Sequence, residues 1–452
     1  MNSTFCKAVF LSAPASGQGK TTVTAALARL LTRHGKTVRI FKTGPDYLDP
    51  QVLEQASGQP VQQLDMWMAG EDWCQHQFYQ AATVADIILV EGAMGLFDGT
   101  PSSADLAARF QIPVALIMDV KGMAQTVGAL ATGLANYRDD CRVIGLVANN
   151  CASERHRLLI EESLPESLPL ITTLARSEQI ALPERHLGLV QASEVRDELE
   201  IRFEAAADSL DEKRVLAWVD QLIEVAFQPA EIARVEQSLN GKTIAIAKDE
   251  AFSFIYDSNL QLLSDMGATL KFFSPLHDQQ LPEADALWLP GGYPELHAQA
   301  LAQNQAMLQQ IRHFHQHKKP MLAECGGFLY CLQSLTDLQD QTYPMLGLLT
   351  GSGAMRGKRG CQGMQTAPLP EGHVRGHAHH RARSDVTESP LAHAIRQRHP
   401  APGEAVYRQG SLTAGFLHLF FPSNPEAIAA LFSGIHLSDS SLTFASEINH
   451  VN

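Results

Sequence analysis

The segment APASGQGKTTV, residues 13–23, follows the apolar run AVFLSA and opens a helical pattern, so it predicts a loop between a strand and a helix. Its glycines let the backbone curl until several N–H groups converge, and the helix N-terminus adds partial positive charge there. Such a loop binds phosphate; a lysine at position 20 reaches the β- or γ-phosphate, and the next hydroxyl can hold Mg²⁺. The predicted nucleotide-binding residues are Gly17, Gln18, Gly19, Lys20, Thr21 and Thr22.

One position of this loop departs from the usual pattern. The full Walker A motif has glycine where this chain has Pro14. The loop therefore resembles the variant form of dethiobiotin-synthetase-like and related P-loop enzymes. The alternative is a glycine turn in which Gly-Lys-Thr occurs by chance.

Apolar runs and helical patterns continue to alternate after the loop. A helix is predicted at residues 20–34, and further strands are predicted at 37–43, 86–92, 113–120 and 142–150. Continuous Val/Ile/Leu runs separated by helices indicate a parallel sheet covered on both faces. Residues 194–227 are acidic and helical in period, and they predict one closing helix.

A second alternation begins after a polar linker. It predicts a helix at residues 253–266 and strands at 242–249, 268–274, 284–292 and 320–325, followed by a β-rich tail with runs such as GFLHLFFP, residues 415–422. The predicted fold class is α/β: a P-loop, doubly wound parallel sheet followed by a second α/β domain. The predicted boundaries are residues 1–230 for the first domain, 231–240 for the linker and 241–452 for the second domain.

Composition argues against several classes of protein. The chain of 452 residues has 49 acidic and 35 basic side chains, which disfavours nucleic acid as a partner because phosphate backbones need a basic face. No window holds the ~18 apolar residues of a membrane span, and the first residues lack the layout of a signal peptide. The seven cysteines form no Cys-x-x-Cys pair and no zinc spacing. We therefore expect a cytoplasmic enzyme without a nucleic-acid or membrane partner.

Carboxylates follow two of the predicted strands. Asp46 and Asp49 lie in GPDYLDP, residues 44–50, and Glu91 and Asp98 lie in EGAMGLFDG, residues 91–99. The carboxyl ends of parallel strands form the sheet edge where ligands bind, and Mg²⁺ prefers oxygen ligands. The alternative for the first pair of aspartates is a turn and a helix cap. The predicted metal ligands are Thr21, Asp46 and Glu91.

The segment MLAECGGFLY, residues 321–330, predicts a sharp strand-to-helix turn with Cys325 at its apex. The helix N-terminus should lower the thiol pKa, and the following N–H groups would face an oxyanion. His418 is the candidate base, and LPGGYPE, residues 289–295, supplies a strand-end Gly-Gly. An inert core thiol and an ordinary strand histidine are the alternatives. The set resembles a class I (triad-type) glutaminase, with Gly291, Gly292 and Gly326 as predicted oxyanion and glutamine-binding residues.

The motifs GPDYLDP, EGAMGLFDG and PERHLGL, residues 183–189, occur in the order found in the cobyrinic acid a,c-diamide synthases, which this chain resembles over nearly its whole length. The resemblance implies that ATP, Mg²⁺, L-glutamine and a corrinoid are bound. It also implies that the segment PERHLGL lies near the nucleotide. Alternatively, Arg185 and His186 could equally form a salt bridge at a helix start. By analogy with related P-loop enzymes, Asn149 would hydrogen-bond the adenine base. The alternative is that Asn149 caps the next helix. The implied substrate and phosphoryl-transfer residues are Asp46, Tyr47, Leu48, Asp49, Glu91 and Asp98.

Two departures from the related patterns stand out. Most triad glutaminases have an acid two residues after the histidine, where this chain has Phe420, so something else must orient His418. The family's GHEFH-like segment has Ala378 and His379 here in place of a glutamate and an aromatic residue. The histidines of this segment could suggest a metal site, but a solvated polar loop is the preferred interpretation; they are His373, His377, His379 and His380.

The expected function is amidation of the a- and c-acetate carboxylates of cobyrinate or hydrogenobyrinate in cobalamin biosynthesis. Glutamine would supply ammonia, and ATP would activate each carboxylate as an acyl phosphate. The enzymatic rivals are cobyric acid synthase and a nickel-sirohydrochlorin a,c-diamide synthase. The non-enzymatic rival is a P-loop ATPase switch with a glutaminase-like binding domain. The oligomeric state stays open, with a homodimer as one option.

Overall fold

The computed structural model describes residues 3–185, 188–189, 194–232, 235–356 and 362–434. The chain divides into two compact units, Met1–Ala233 and Arg234–Asn452. Among the described residues, none of the helices is both long and apolar enough to cross a lipid bilayer.

The first unit alternates strands with helices. Their bounds are β1 (Thr4–Ser12), α1 (Lys20–Arg33), β2 (Val38–Thr43), α2 (Leu48–Ser57), β3 (Gln62–Leu64), α3 (Glu71–Ala82), β4 (Ile87–Glu91), α4 (Ser103–Arg109), β5 (Val114–Asp119), α5 (Thr126–Ala135), β6 (Val143–Cys151), α6 (Glu154–Ser163), β7 (Leu170–Ala175), β8 (Glu184–Arg185), β9 (Gly188–Leu189), α7 (Arg196–Asp208), α8 (Glu212–Gln221) and β10 (Glu224–Phe227).

Seven of these strands form a parallel sheet in the order β3-β2-β4-β1-β5-β6-β7. Successive side chains of β1 enter opposite clusters: Ala8 and Phe10 join one, and Val9 and Leu11 join the other. The sheet is therefore covered on both faces, as the apolar runs predict. Glu91 ends β4 beside Lys42 of β2, which brings two polar side chains to the carboxyl edge of the sheet.

The prediction of one closing helix at residues 194–227 is wrong. The segment contains two helices, α7 and α8, because Asp211 accepts the Arg214 N–H group as an N-cap and starts a new helix. The segment then ends in β10, which pairs antiparallel with β1. Its alternating exposed and buried residues Glu224–Phe227 fit a strand rather than a helix.

The second unit also contains a mostly parallel sheet, of seven strands. The bounds are β11 (Thr243–Ala247), α9 (Asp257–Asp265), β12 (Thr269–Phe273), β13 (Ala286–Leu289), α10 (Ala298–Gln303), α11 (Gln305–Gln316), β14 (Met321–Glu324), α12 (Gly326–Cys331), β15 (Ser334–Thr336), β16 (Thr342–Pro344), β17 (Ser352–Met355), β18 (Gln362–Leu369), β19 (Gly372–His379), β20 (Ala382–Ser384), β21 (Ala392–His393), β22 (Ile395–Arg396), β23 (Ala405–Gln409), β24 (Leu412–Gly415), β25 (His418–Leu419) and α13 (Pro425–Ser433).

The run GFLHLFFP crosses between two sheets of this unit. Strand β24 closes the parallel part of the main sheet, in the order β12-β11-β13-β14-β24-β23-β21. Strand β25 belongs to the smaller sheet β22-β18-β19-β25. Residues Phe421–Ser423 then form a 3-10 turn. The chain therefore presents His418 at the point where it leaves one sheet for the other.

Candidate active sites

The phosphate loop of the first unit has the backbone that its glycines allow. Gly17 and Gly19 have φ angles of 76° and 83°, which side-chain-bearing residues rarely adopt. The Gln18 side chain accepts the Asp119 N–H group at 2.9 Å, and the Asn149 amide donates to the Gln18 carbonyl at 3.0 Å. The loop is therefore fastened to the ends of β5 and β6.

Asn149 supports the loop rather than capping a helix. A Cβ atom built on Gly19 would lie 2.0 Å from the Asn149 Nδ2 atom, so glycine is required there. The following helix, α6, is capped by Ser153, whose hydroxyl accepts the His156 N–H group. The helix-cap alternative for Asn149 is therefore wrong.

Lys20 lies across the loop toward the glycine-rich segment after β4. Its Nζ atom donates to the Met94 carbonyl at 2.7 Å and to the Ala15 carbonyl at 3.3 Å. Burial lowers the pKa of Lys20, as does Lys42, while the charges of Glu91, Asp49 and Asp98 oppose that shift. The phosphate-binding lysine and the predicted acidic residues thus share one electrostatic environment.

A second buried lysine, which sequence reasoning missed, lies among those acids. The Nζ atom of Lys42 is 2.6 Å from Asp49 Oδ2, 2.6 Å from Glu91 Oε1 and 3.9 Å from Asp46 Oδ2. Thr21 donates its hydroxyl to the same Glu91 oxygen at 3.0 Å. The sequence signal for this residue was a lysine at the second-last position of an otherwise apolar strand that leads into GPDYLDP.

The two aspartates of GPDYLDP titrate in opposite directions. Burial and the charge of Asp49 raise the pKa of Asp46 to about 7. Burial also acts to raise the pKa of Asp49, but the charge and hydrogen bond of Lys42 outweigh it and hold that pKa below its usual range. Asp46 also accepts the N–H groups of Leu48 and Asp49, so it is both a turn cap and a neighbour of Lys42.

The remaining predicted residues surround this cluster. Tyr47 is buried at the start of α2, and Thr22 is half-buried in the first turn of α1. Asp98 is exposed and accepts the Gly95 N–H group at 3.0 Å. Arg185 belongs to the short strand β8, and His186 lies outside the described residues.

The donor set at the end of β4 fits a magnesium ion. Glu91 is fully buried, and its Oε2 atom has no hydrogen-bond partner among the described residues, although its other oxygen has two. A buried carboxylate oxygen rarely stays unbonded. Together with the Thr21 hydroxyl and Asp46 it offers the hard oxygen ligands that Mg²⁺ takes directly or through water.

In the second unit, Cys325 occupies the predicted elbow between β14 and α12. Its φ of 47° and ψ of −101° are strained for a residue with a side chain. Its N–H group donates to the Gly415 carbonyl at 2.8 Å, which ties the elbow to β24. A Cβ atom on Gly326 would lie 2.9 Å from both the Gly292 nitrogen and Pro294 Cδ, so the two Gly-Gly segments are in close contact.

His418 lies against the first of those segments. A Cβ atom on Gly291 would lie 2.2 Å from His418 Cε1, so only glycine leaves room for the imidazole. The ring is 1% exposed, and Phe420, at the position of the usual acid, is buried against Tyr256. Gly291 and Gly292 thus connect His418 on one side with the Cys325–Gly326 elbow on the other.

The prediction of a lowered thiol pKa is wrong for the substrate-free protein. Burial raises the pKa of Cys325 well above its usual value, and the charges of Glu295, Glu404 and Glu324 add to the shift. The Gly326 N–H group acts in the opposite direction but is outweighed. Burial also lowers the pKa of His418, helped by the histidines beside it. The resting pair is a neutral thiol and a neutral imidazole.

Glu295 is a second residue whose role the sequence did not indicate, although it ends the segment LPGGYPE. It is 6% exposed, in the 3-10 turn Pro294–Leu296 that packs on the elbow. Burial raises its pKa to about 7, and no cationic side chain of the described residues contributes to that shift. A buried carboxyl group whose pKa is shifted in this way, next to the cysteine elbow, is a candidate functional group.

The histidine-rich segment is not a solvated loop. His373, His377 and His379 belong to β19, which pairs with β18 along its whole length. The His380 ring is buried, stacks on Phe416 at 3.8 Å and lies 2.9 Å from Glu404 Oε1. The hairpin that β18 and β19 form explains the difference, and within it His373 and His379 remain exposed. Among the described residues no group of three or more His, Cys, Asp or Glu side chains is arranged to hold a metal ion.

Comparison with known proteins agrees with the predicted class of each half of the chain. Residues 9–190 match the family described as the CobQ/CobB/MinD/ParA nucleotide binding domain. Residues 243–426 match the CobB/CobQ-like glutamine amidotransferase domain.

Relatives match this chain over nearly its whole length. The hydrogenobyrinate a,c-diamide synthase of Stutzerimonas stutzeri is 49% identical, covering 95% of this chain and 99% of its own. The protein of that name from Pseudomonas aeruginosa is 48% identical, with 95% and 98% covered. The cobyrinate a,c-diamide synthase of Herminiimonas arsenicoxydans is 47% identical, with 94% and 96% covered. This chain therefore belongs to the cobyrinate/hydrogenobyrinate a,c-diamide synthase family of glutamine-dependent amidating ligases.

Proposed function

We propose that this protein amidates the a- and c-acetate carboxylates of cobyrinate, or of its metal-free counterpart hydrogenobyrinate, in the cytoplasm. ATP supplies the energy and glutamine the nitrogen. The observation that carries the proposal is the tight packing of Gly291 on the His418 ring beside the strained Cys325 elbow, in a chain that also has a phosphate loop. A binding module would have no need of a buried imidazole packed on one strand-end Gly-Gly segment while a strained cysteine elbow packs on the same segment.

In the glutaminase half, the Cys325 sulfur attacks the carboxamide carbon of glutamine while the thiol proton passes to His418. The Gly326 and Gly292 N–H groups receive the developing oxyanion. His418 then protonates the leaving nitrogen, and water hydrolyses the γ-glutamyl thioester to glutamate. Burial raises the pKa of Cys325 and lowers that of His418, which disfavours a thiolate–imidazolium pair in the substrate-free protein.

Glu295 is the proposed acceptor for the α-ammonium group of glutamine. Its carboxylate is buried next to the elbow, and its charge acts on the Cys325 thiol. An ammonium group would supply the counter-ion and remove the cost of burying the ionised carboxylate.

In the ligase half, the γ-phosphoryl group of ATP is transferred to a substrate carboxylate, and ammonia displaces phosphate from the acyl phosphate. Bound Mg²⁺ would neutralise charge on the phosphates, with Thr21, Asp46 and Glu91 as its proposed ligands. Lys20 reaches the transferred group, and Lys42 holds the carboxylates of Asp49 and Glu91 in place. Asn149 keeps the phosphate loop in the binding conformation.

The test is to incubate the full chain with ATP, Mg²⁺, glutamine and either corrinoid, and to follow product mass. Conversion of two carboxyl groups to amides is expected with at least one substrate, and no conversion with either contradicts the proposal. Cys325→Ala should lose the glutamine-dependent reaction but retain the ammonium-dependent one. Normal glutamine hydrolysis by this variant would show that the thiol assignment is wrong.

A further inference from the structure

The acid that orients the histidine of most triad glutaminases is absent from its usual position. Phe420 stands there, is 1% exposed and packs edge-on against Tyr256 with ring centroids 5.5 Å apart. No carboxylate can act on the imidazole from that position. The orientation of His418 must therefore have another source within the fold.

Glu324 makes a hydrogen bond to the main chain next to His418. Its side chain is 2% exposed, and its Oε1 atom accepts the N–H group of Leu419 at 2.8 Å. Its Oε2 atom accepts the indole N–H group of Trp288 at 2.9 Å. Glu324 is the last residue of β14 and directly precedes Cys325, the proposed nucleophile. Leu419 of β25 directly follows His418, the proposed base.

The bond to Leu419 connects strands of different sheets, whereas the bond to Trp288 lies within the main sheet. Strand β14 lies in the main sheet, whereas β25 pairs with β19 of the smaller sheet through Gly376–Leu419 and His377–His418, and the Phe420 N–H group extends this pairing to the Arg375 carbonyl. Asn259 of α9 also holds the segment, donating to the Leu419 carbonyl at 2.9 Å and accepting the Phe421 N–H group at 2.8 Å. The carboxylate of Glu324 adds a bond from the nucleophile strand to the peptide of the base strand.

We propose that Glu324 is a positioning residue that fixes the His418 main chain relative to Cys325, and so replaces through the backbone the acid that other triads place on the imidazole. This rests on the proposed glutaminase reaction. Proton transfer from thiol to imidazole requires the two groups to come within hydrogen-bond distance, and small displacements of either group slow it steeply. Trp288 in turn fixes the Glu324 carboxylate by occupying its second oxygen.

The chemistry of an amide side chain makes the proposal testable. In Glu324→Gln, the amide presents one oxygen and one NH₂ group to two N–H donors, so one donor faces another donor. In Trp288→Phe the indole donor is gone. The double variant Trp288→Phe/Glu324→Gln can therefore turn its amide oxygen to Leu419 and restore the inter-strand bond.

The experiment measures glutamine hydrolysis, thermal unfolding and ammonium-dependent amidation for the full chain and the three variants. Glu324→Gln should lower kcat for glutamine hydrolysis by about ten- to a hundredfold with little change in KM, because binding groups are untouched. Ammonium-dependent amidation should be unchanged. The double variant should return to within a few-fold of Trp288→Phe. Exposed Glu283→Gln is the matched control.

Two results would overturn the proposal. One is a Glu324→Gln enzyme with unaltered kcat. The other is a double variant that stays far below Trp288→Phe, since the loss would then not come from the bond to Leu419. If Glu324→Gln alone does not fold, the comparison of the double variant with Trp288→Phe decides the matter. A rise in KM without a fall in kcat would assign Glu324 to substrate binding instead.

Discussion

Lys42 is a buried cation whose neighbours are carboxylates, and we expect it to contribute both to stability and to the proposed ligase reaction. Removing one partner of a buried ion pair leaves the other charges uncompensated, which typically costs about 3–5 kcal/mol. We expect Lys42→Met to destabilise the first unit by about that amount, since the side chain is only 3% exposed and bonds Asp49 and Glu91. Calorimetric unfolding and ammonium-dependent amidation would measure the two effects.

The matched control for Lys42→Met is Lys36→Met, at an exposed position after α1. The control should retain stability and amidation. Glutamine hydrolysis should persist in both variants, because its residues lie in the other unit. Full ammonium-dependent activity in Lys42→Met would exclude Lys42 from the ligase site.

If Glu295 accepts the ammonium group of glutamine as proposed, glutamine binding should depend on pH. The pKa of Glu295 is raised to about 7 in the substrate-free protein, and only the ionised form attracts an ammonium group. The value of kcat/KM for glutamine should therefore increase as the pH rises through about 7. In Glu295→Gln the KM for glutamine should be raised, and kcat/KM should not increase over this pH range. A steady-state pH profile checks this; an unchanged KM in Glu295→Gln would refute the role in glutamine binding.

The turns at strand ends bring the glutaminase residues into contact. The segment after β13 passes so close to the base that a methyl group on Gly291 would overlap the His418 ring. We expect Gly291→Ala to displace the imidazole and to lower kcat for glutamine hydrolysis by about a hundredfold, while ammonium-dependent amidation persists. Gly133→Ala in α5 is a control with open space around the added Cβ atom, and should be neutral. A fully active Gly291→Ala enzyme would contradict the geometry.

The strand-to-helix elbow shows why a motif alone does not decide reactivity. Helix α12 has only six residues and is buried throughout, so the thiol is surrounded by apolar groups and carboxylates. Desolvation of the thiolate outweighs the single stabilising N–H group. The sequence indicated the turn correctly but not the direction of the pKa shift.

In the proposed mechanism, ammonia released in the second unit must reach the first, and ammonia is mostly protonated in neutral water. We expect a mixture of Cys325→Ala and Lys20→Ala proteins to recover little glutamine-dependent amidation, although each retains one half-reaction. Product formation at low glutamine concentration measures the recovery. Recovery to the wild-type rate would mean that ammonia passes through bulk solvent, so that shielded transfer within one chain is unnecessary.

Much of the fold and site was predictable because local patterns encode it. The run AVFLSA followed by a Gly-rich loop specifies a strand, a turn and a helix start from neighbouring residues only. Lys42 and Glu295 were missed although each lies in or directly beside a recognised motif, because a charged side chain next to a turn is usually solvated. Only their burial, of 3% and 6% exposure, distinguishes them from surface residues.

The amino-acid sequence by itself determined the α/β alternation, the phosphate loop, the position of the thiol and the order of the motifs. Tertiary structure alone decided that Lys42 neutralises the acidic cluster, that Asn149 supports the loop and that Glu324 reaches across two sheets to Leu419. It also decided that the thiol is neutral at rest. The physical reason is that spacing along the chain governs local geometry, whereas burial and charge pairing depend on residues that meet from distant segments.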